Sequence, residues 1–413
     1  MMTAPAELRQ MRQADVYIND ARAAVLLRDD RDRVTFRYHT EFLDAHRDTE
    51  VRNRSVAWTL LSTPTFRQAT ADGGAVPPFF AGLLPEGARL DAAIASTKTS
   101  ADDHLTLLLS VGADTIGNVR IAPAGTAPIG VEPAVDNPEV ADFSRLAVSL
   151  GETIDVDPIA LSGVQPKVSA QRLTTTVRRT SGSAILKFSP ARYPRIAENE
   201  DFFLRMARGC GLRTPTHEVV HDVNGVSALL VARFDRTPDG RRIPQEDACQ
   251  VAGAYPASKY RLKTETAIKE LSRACADGGG SAAAATLELL QTVSFSWLIG
   301  NGDLHGKNLS IYAPEDFWLP TPSYDLLCTQ PYAGWRDPMA MMLYGRNNRL
   351  TRGHIVESGE RLGLRPRAVS RMLDSLTSAA TPWIERCAEI GFDDRTTAHL
   401  ENHLRERQAS LLR

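Results

Sequence analysis

The stretch Asn301-Gly-Asp-Leu-His-Gly-Lys-Asn308, followed by Ser323-Tyr-Asp325, decides the fold. Asp303 and Asn308 stand in the D-x-x-x-x-N spacing of a kinase catalytic loop, and Asp325 follows where a second metal-binding carboxylate is needed. Phosphoryl transfer demands little covalent chemistry of a protein, so positioned charge is what such a loop must supply. A carboxylate at 303 would orient an attacking hydroxyl and accept its proton. Asn308 and Asp325 offer oxygen to magnesium, a hard cation. Lys307 is placed to steady charge on the transferred group, and His305 to hold the loop as a hydrogen-bond donor. A polar turn after a helix is the plainer reading of Asn, Gly and Asp. It does not account for the spacing, or for a Tyr-Asp beyond the strand-like Leu309-Ser-Ile-Tyr312.

Upstream, Leu287 to Ile299 is apolar on several faces and reads as a buried helix feeding this loop. Lys187, in Ala184-Ile-Leu-Lys-Phe188, is close to the V-A-I-K strand pattern whose lysine contacts ATP phosphates. A lone strand lysine is usually a solvated edge charge, so its weight comes from the loop at 301–308. Glu198 and Glu200, on the helix expected at 197–209, are its candidate ion-pair partners, with Glu200 preferred. Ser162-Gly-Val-Gln-Pro-Lys167 precedes a strand and would close over phosphates with backbone N–H groups and Lys167. It carries one glycine where G-x-G-x-x-G has three, so a plain β-turn fits it as well. Ala232-Arg-Phe-Asp-Arg236 reads as the connection between lobes, with Arg233, Phe234 and, further on, Gln250 as nucleotide contacts. Arg233 and Arg236 read equally as surface charges.

The chain has 413 residues, 24% charged and 43% hydrophobic, with a formal net charge of −2. That is an ordinary globular composition with room for two or three domains. It argues against a surface that grips nucleic acid throughout. No run approaches the ~18 apolar residues of a membrane helix, and the first ten residues lack the layout of a signal peptide. Five dispersed cysteines (Cys210, Cys249, Cys275, Cys328, Cys387) read as reduced thiols, which points to the cytoplasm. Short apolar runs between charged turns make 15–70 a small α/β unit, within an N-terminal subdomain taken as 1–122; Val34, Phe36 and Tyr38 follow period two. Residues 123–138, rich in Pro, Ala and Gly, read as a linker. Strands expected at 166–175, 182–188 and 226–234 make 139–235 a strand-rich lobe, and 236–413 a helical one. Gly278-Gly-Gly-Ser-Ala-Ala-Ala-Ala285 reads as an exposed loop, and Leu400, Leu404 and Leu411 as a packing stripe in a helical tail. The fold class is therefore α+β: two lobes like a protein kinase, with an extra N-terminal α/β subdomain and a helical C-terminal lobe.

These motifs together resemble the HipA family of bacterial serine/threonine kinase toxins. The residues that carry the resemblance are Phe79-Phe-Ala-Gly-Leu-Leu-Pro-Glu-Gly87, Gly112-Ala-Asp-Thr-Ile-Gly-Asn-Val119, Leu161-Ser-Gly-Val-Gln-Pro-Lys167, Ile185-Leu-Lys-Phe188, Glu198-Asn-Glu200, Arg233-Phe-Asp-Arg236, Glu246-Asp-Ala-Cys-Gln250, Asn301 to Asn308 and Tyr324-Asp325. They run in the family's order over most of 15–330. The resemblance implies ATP and Mg2+ as cofactors, and transfer of phosphate to protein serine or threonine. It implies Asp303 as base, Asn308 and Asp325 as metal ligands, Lys187 as the ATP lysine and 162–167 as the phosphate loop. It also implies an aminoacyl-tRNA synthetase as protein substrate and a helix-turn-helix antitoxin as partner, through which alone DNA would be met. No membrane is implied. Some relatives silence themselves on a serine just before the loop glycine; this chain has Ala160 there and Ser162 nearby. Two other readings compete. A small-molecule phosphotransferase has a similar loop, usually with histidine where Asn301 stands. A kinase-shaped scaffold would need none of Lys187, Asp303, Asn308 and Asp325.

Overall fold

A computed structural model describes residues 5–130, 137–143, 145–146, 173–179, 182–188 and 193–413. The first unit is an antiparallel sheet of β1 (Gln13–Ile18), β2 (Ala21–Arg28), β3 (Val34–Tyr38), β4 (Ala69–Ala71) and β5 (Val119–Pro123), in the order β4-β3-β2-β1-β5. Alternation decides its faces: Val34, Phe36 and Tyr38 are buried while Arg37 is exposed. The register sets Leu26 opposite Phe36 and Val16 opposite Ile121. Against that apolar face pack α1 (Pro78–Gly82) and α3 (His104–Val111), which supply Phe80, Leu105 and Leu108. Between them, α2 (Ala88–Thr97) completes the unit. The charged tip between β2 and β3 closes because Asp29 accepts N–H bonds from Arg31 and Arg33, an Asx-type turn.

The second sheet, in the order β6-β7-β9-β8, contains β6 (Leu173–Arg179), β7 (Gly182–Phe188), β8 (His217–His221) and β9 (Ser227–Ala232). Ala184, Leu186 and Phe188 share one face of β7 and join Val177, Ala228 and Leu230 in an apolar layer. Period two therefore turns Lys187 to the opposite face, towards α4 (Ile196–Gly209).

The remainder is helical around a small sheet. Strand β10 (Gln245–Asp247) leads into α5 (Ala248–Val251), then come α6 (Thr264–Asp277) and α7 (Ala282–Ile299). Strands β11 (Ser310–Tyr312) and β12 (Leu319–Pro320) extend β10, and α8 (Arg352–Arg361), α9 (Pro366–Ile384) and α10 (Asp394–Leu412) follow. Helix α7 is long and apolar enough to cross a membrane, yet it is the core helix, with 67% of its residues buried. Leu400, Leu404 and Leu411 of α10 are fully buried in the same core. The stretch 278–285 is exposed at Gly279 and over 281–284, as expected, but it is not a loop throughout. Gly278 is buried against Trp318, Ser281 caps α7 by accepting from Ala284 N, and Ala282–Ala285 form its first turn. All five cysteines are buried free thiols.

Candidate active site

Helix α7 stops at Gly300, whose φ of 74° is the left-handed C-cap that glycine adopts without cost. The chain then enters the loop at 301–308. Asn301 ties it at both ends: its Oδ1 accepts from Asp303 N at 2.9 Å, and its Nδ2 donates to Asp325 O at 3.1 Å. Gly302 donates its N–H to Thr329 Oγ1 at 2.9 Å, and a Cβ there would lie 1.9 Å from Asp337 Oδ2. Asp303 is thereby held buried, 4% exposed, with Tyr260 Oη donating to its Oδ1 at 3.0 Å. His305 donates its backbone N–H to Asn308 Oδ1 and sets its ring edge-on against Tyr260, centroids 5.2 Å apart. Burial, and then the nearby Lys259 ammonium, push its imidazole down to about 4, so it is neutral.

Four polar side chains converge beside this loop. Lys187 Nζ lies 2.7 Å from Glu200 Oε1 and also meets Asp325 Oδ1. Asp325 Oδ2 accepts from Asn308 Nδ2 at 2.9 Å. Glu198, the other candidate, is turned away to Arg195 and Ser227. Asp325 has φ 52°, a left-handed conformation that a non-glycine residue adopts at a cost of about 1 kcal/mol or more. A half-turn of the Asn308 amide would offer oxygen to a metal, at the cost of the bond its Oδ1 accepts from His305 N. With the Asp325 carboxylate that oxygen makes a pair of hard oxygen donors, the chemistry that Mg2+ takes from proteins beside phosphates. The donor set fits that ion. Tyr324, just before Asp325, is half-buried and donates to Lys307 O at 2.6 Å, tying the segment of Asp325 to the loop at 301–308. Phe234 packs on Tyr324 and on Tyr312, with ring centroids 5.7 and 6.0 Å apart.

Three expected contacts are directed elsewhere. Lys307 turns to the N-terminal unit: its Nζ donates to Gly82 O at 3.1 Å and pairs with Glu86 at 3.2 Å. Gln250 spends both ends of its amide on structure. Its Oε1 closes a capping box with Asp247 N, and its Nε2 donates to Phe79 O at 3.0 Å. Arg233 and Arg236 are not surface charges; their side chains are 4% and 6% exposed. Both bind Asp114 and Asp235, Arg242 joins at Asp114, and Gly117 N donates to Asp235. This ion cluster joins the N-terminal unit to the kinase core. The expected phosphate loop (Ser162, Gly163, Val164, Gln165 and Lys167) lies outside the described residues.

Sequence reading gave no role to Tyr260, Asn301, Glu86 or Asp114. Glu86 and Asp114 stand inside the quoted segments 79–87 and 112–119, but their partners are more than a hundred residues away. Nothing local marks Tyr260.

Comparison with known proteins agrees with this architecture. The family description "HipA N-terminal domain" matches residues 14–122, and "HipA-like C-terminal domain" matches 159–384. A Sinorhizobium fredii protein, Y4mE, is 30% identical over 362 residues, covering 81% of this chain and 85% of its own. The serine/threonine-protein kinase toxin HipA of Shewanella oneidensis is 27% identical over 334 residues, 73% of this chain and 75% of that one. The solved Shewanella oneidensis HipA, in complex with HipB and its operator DNA, superposes with a TM-score of 0.74 at 21% identity, covering 97% of both chains. That likeness shows a shared fold. With both family domains matched in order and over more than half its length, the chain belongs to the HipA family of serine/threonine protein kinases.

Proposed function

We propose that this chain transfers the γ-phosphoryl group of ATP, with Mg2+, to serine or threonine of a protein required for translation, and acts as a toxin restrained by an antitoxin. The observation that carries the reading is the convergence of Lys187, Glu200, Asn308 and Asp325 at the loop that carries Asp303. Asp303 would orient the acceptor hydroxyl and take its proton as the oxygen–phosphorus bond forms. Lys187, held between two carboxylates, would place its ammonium on the nucleotide phosphates, with Glu200 keeping it in position. Asn308 and Asp325 would hold the metal, which when bound neutralises charge on the phosphates. Phe234 would border the base, and 162–167 would cover the phosphates. Lys307, Arg233 and Gln250 serve the domain junction instead.

An aminoacyl-tRNA synthetase as substrate, a helix-turn-helix antitoxin as partner and a cytoplasmic location follow from the family. The Shewanella oneidensis relative is seen with HipB and DNA, which supports an antitoxin here. Incubating the chain with radiolabelled ATP, Mg2+ and host lysate, beside Asp303→Asn, tests the reading. A labelled protein band of synthetase size is expected with the native chain. At least a hundredfold loss is expected with the variant. Full activity in Asp303→Asn would falsify the assignment of the base, and label on a small metabolite would replace the protein substrate.

A further inference from the structure

The carboxylate at 303 is held by groups from two other parts of the chain. Tyr260 donates to Asp303 Oδ1, and burial together with the Asp303 charge raises its phenol well above its ordinary value, so it stays a donor. Lys259, the residue before it, accepts Gly306 N–H on its carbonyl at 3.0 Å and sends its ammonium to Glu86. Glu86 receives Lys307, from within the loop, on its other oxygen. The loop is thus gripped on two flanks, and one carboxylate of the N-terminal unit joins both. Burial alone would raise the Glu86 carboxyl, but Lys307 and Lys259 overrule it and hold it down at about 2, fully ionised.

We propose that Glu86 is a positioning residue for Asp303, so that the N-terminal domain completes the kinase site through Lys307 and the Lys259–Tyr260 segment. This rests on the reading of Asp303 as the base. If Glu86 only glued two domains together, its loss would lower stability and leave the loop undisturbed. A loop carboxylate displaced by about 1 Å loses on the order of a hundredfold in rate.

The test uses the full chain with Glu86→Gln, Tyr260→Phe and the pair. Amide hydrogen exchange over 301–308 is expected to quicken about tenfold or more in Glu86→Gln, with β7 and α7 unchanged. The kcat should fall about tenfold in each single variant with KM for ATP within about twofold, and the double variant should lose less than the product. Unchanged exchange in the loop overturns the proposal, whether or not phosphate is transferred. Rate losses that simply multiply, or that appear in KM alone, overturn it too. If Glu86→Gln does not fold, Tyr260→Phe removes one hydroxyl only, and an unaltered kcat there is equally fatal. Failure of the underlying reading shows separately, as activity retained by Asp303→Asn.

Discussion

Lys187 is 9% exposed, and both Glu200 and Asp325 meet its Nζ. Replacing it with methionine keeps the stem and removes the ammonium, so two carboxylates lose their common counter-charge. Lys187→Met is expected to lose at least a hundredfold in phosphate transfer and about 3 kcal/mol of stability. A rate assay and a denaturant melt would measure both. An active Lys187→Met would remove the lysine from the chemistry. The residues of this group were legible because spacing along one strand, one helix and one loop fixes them. Lys307, Gln250 and Arg233 were misread for a physical reason: a polar side chain is committed by its partner. Those partners, Glu86, Phe79 and Asp114, come from another domain.

Among the elements, β3 was readable from period two, β7 from its likeness to the V-A-I-K strand pattern, and α7 from apolar residues on several faces. The stretch 278–285 was not, since three glycines and four alanines look alike in a loop and in a capped helix start. What decides between them is close packing. A Cβ on Gly280 would lie 2.2 Å from Trp318 O and 3.0 Å from Cys275 O, both backbone atoms that cannot step aside. Gly280→Ala is therefore expected to cost about 2–3 kcal/mol, read as a lower denaturation midpoint. A neutral result would mean that the backbone at Trp318 and Cys275 does not close on this turn. The helix that Gly280 seats at its start ends at Gly300 and delivers the chain to the loop at 301–308.

For the molecule as a whole, the junction between the N-terminal unit and the kinase core is charged, and its pH dependence has a definite sign. Glu86 sits at about 2 when folded against an ordinary 4.5. The unfolded chain therefore binds this proton more readily between those values. The contribution is complete above about pH 4.5 and is lost as pH falls through about 2. Since the side chain is 34% exposed, solvent trims the full linkage of about 3 kcal/mol to about 1–2. Melts of native chain and Glu86→Gln should differ at pH 7 and converge towards pH 2; a constant gap would mean that shape, not charge, holds the junction. The other half of that junction has a consequence for how such chains diversify. Asp114 serves three arginines of the core at once, and Glu86 serves two lysines. A chimera that took its first domain from one relative and its core from another would have to match five cations with two acids in a single event. Recombination inside this family is thus expected to exchange whole chains, or to leave the seam residues untouched while the outer surfaces drift.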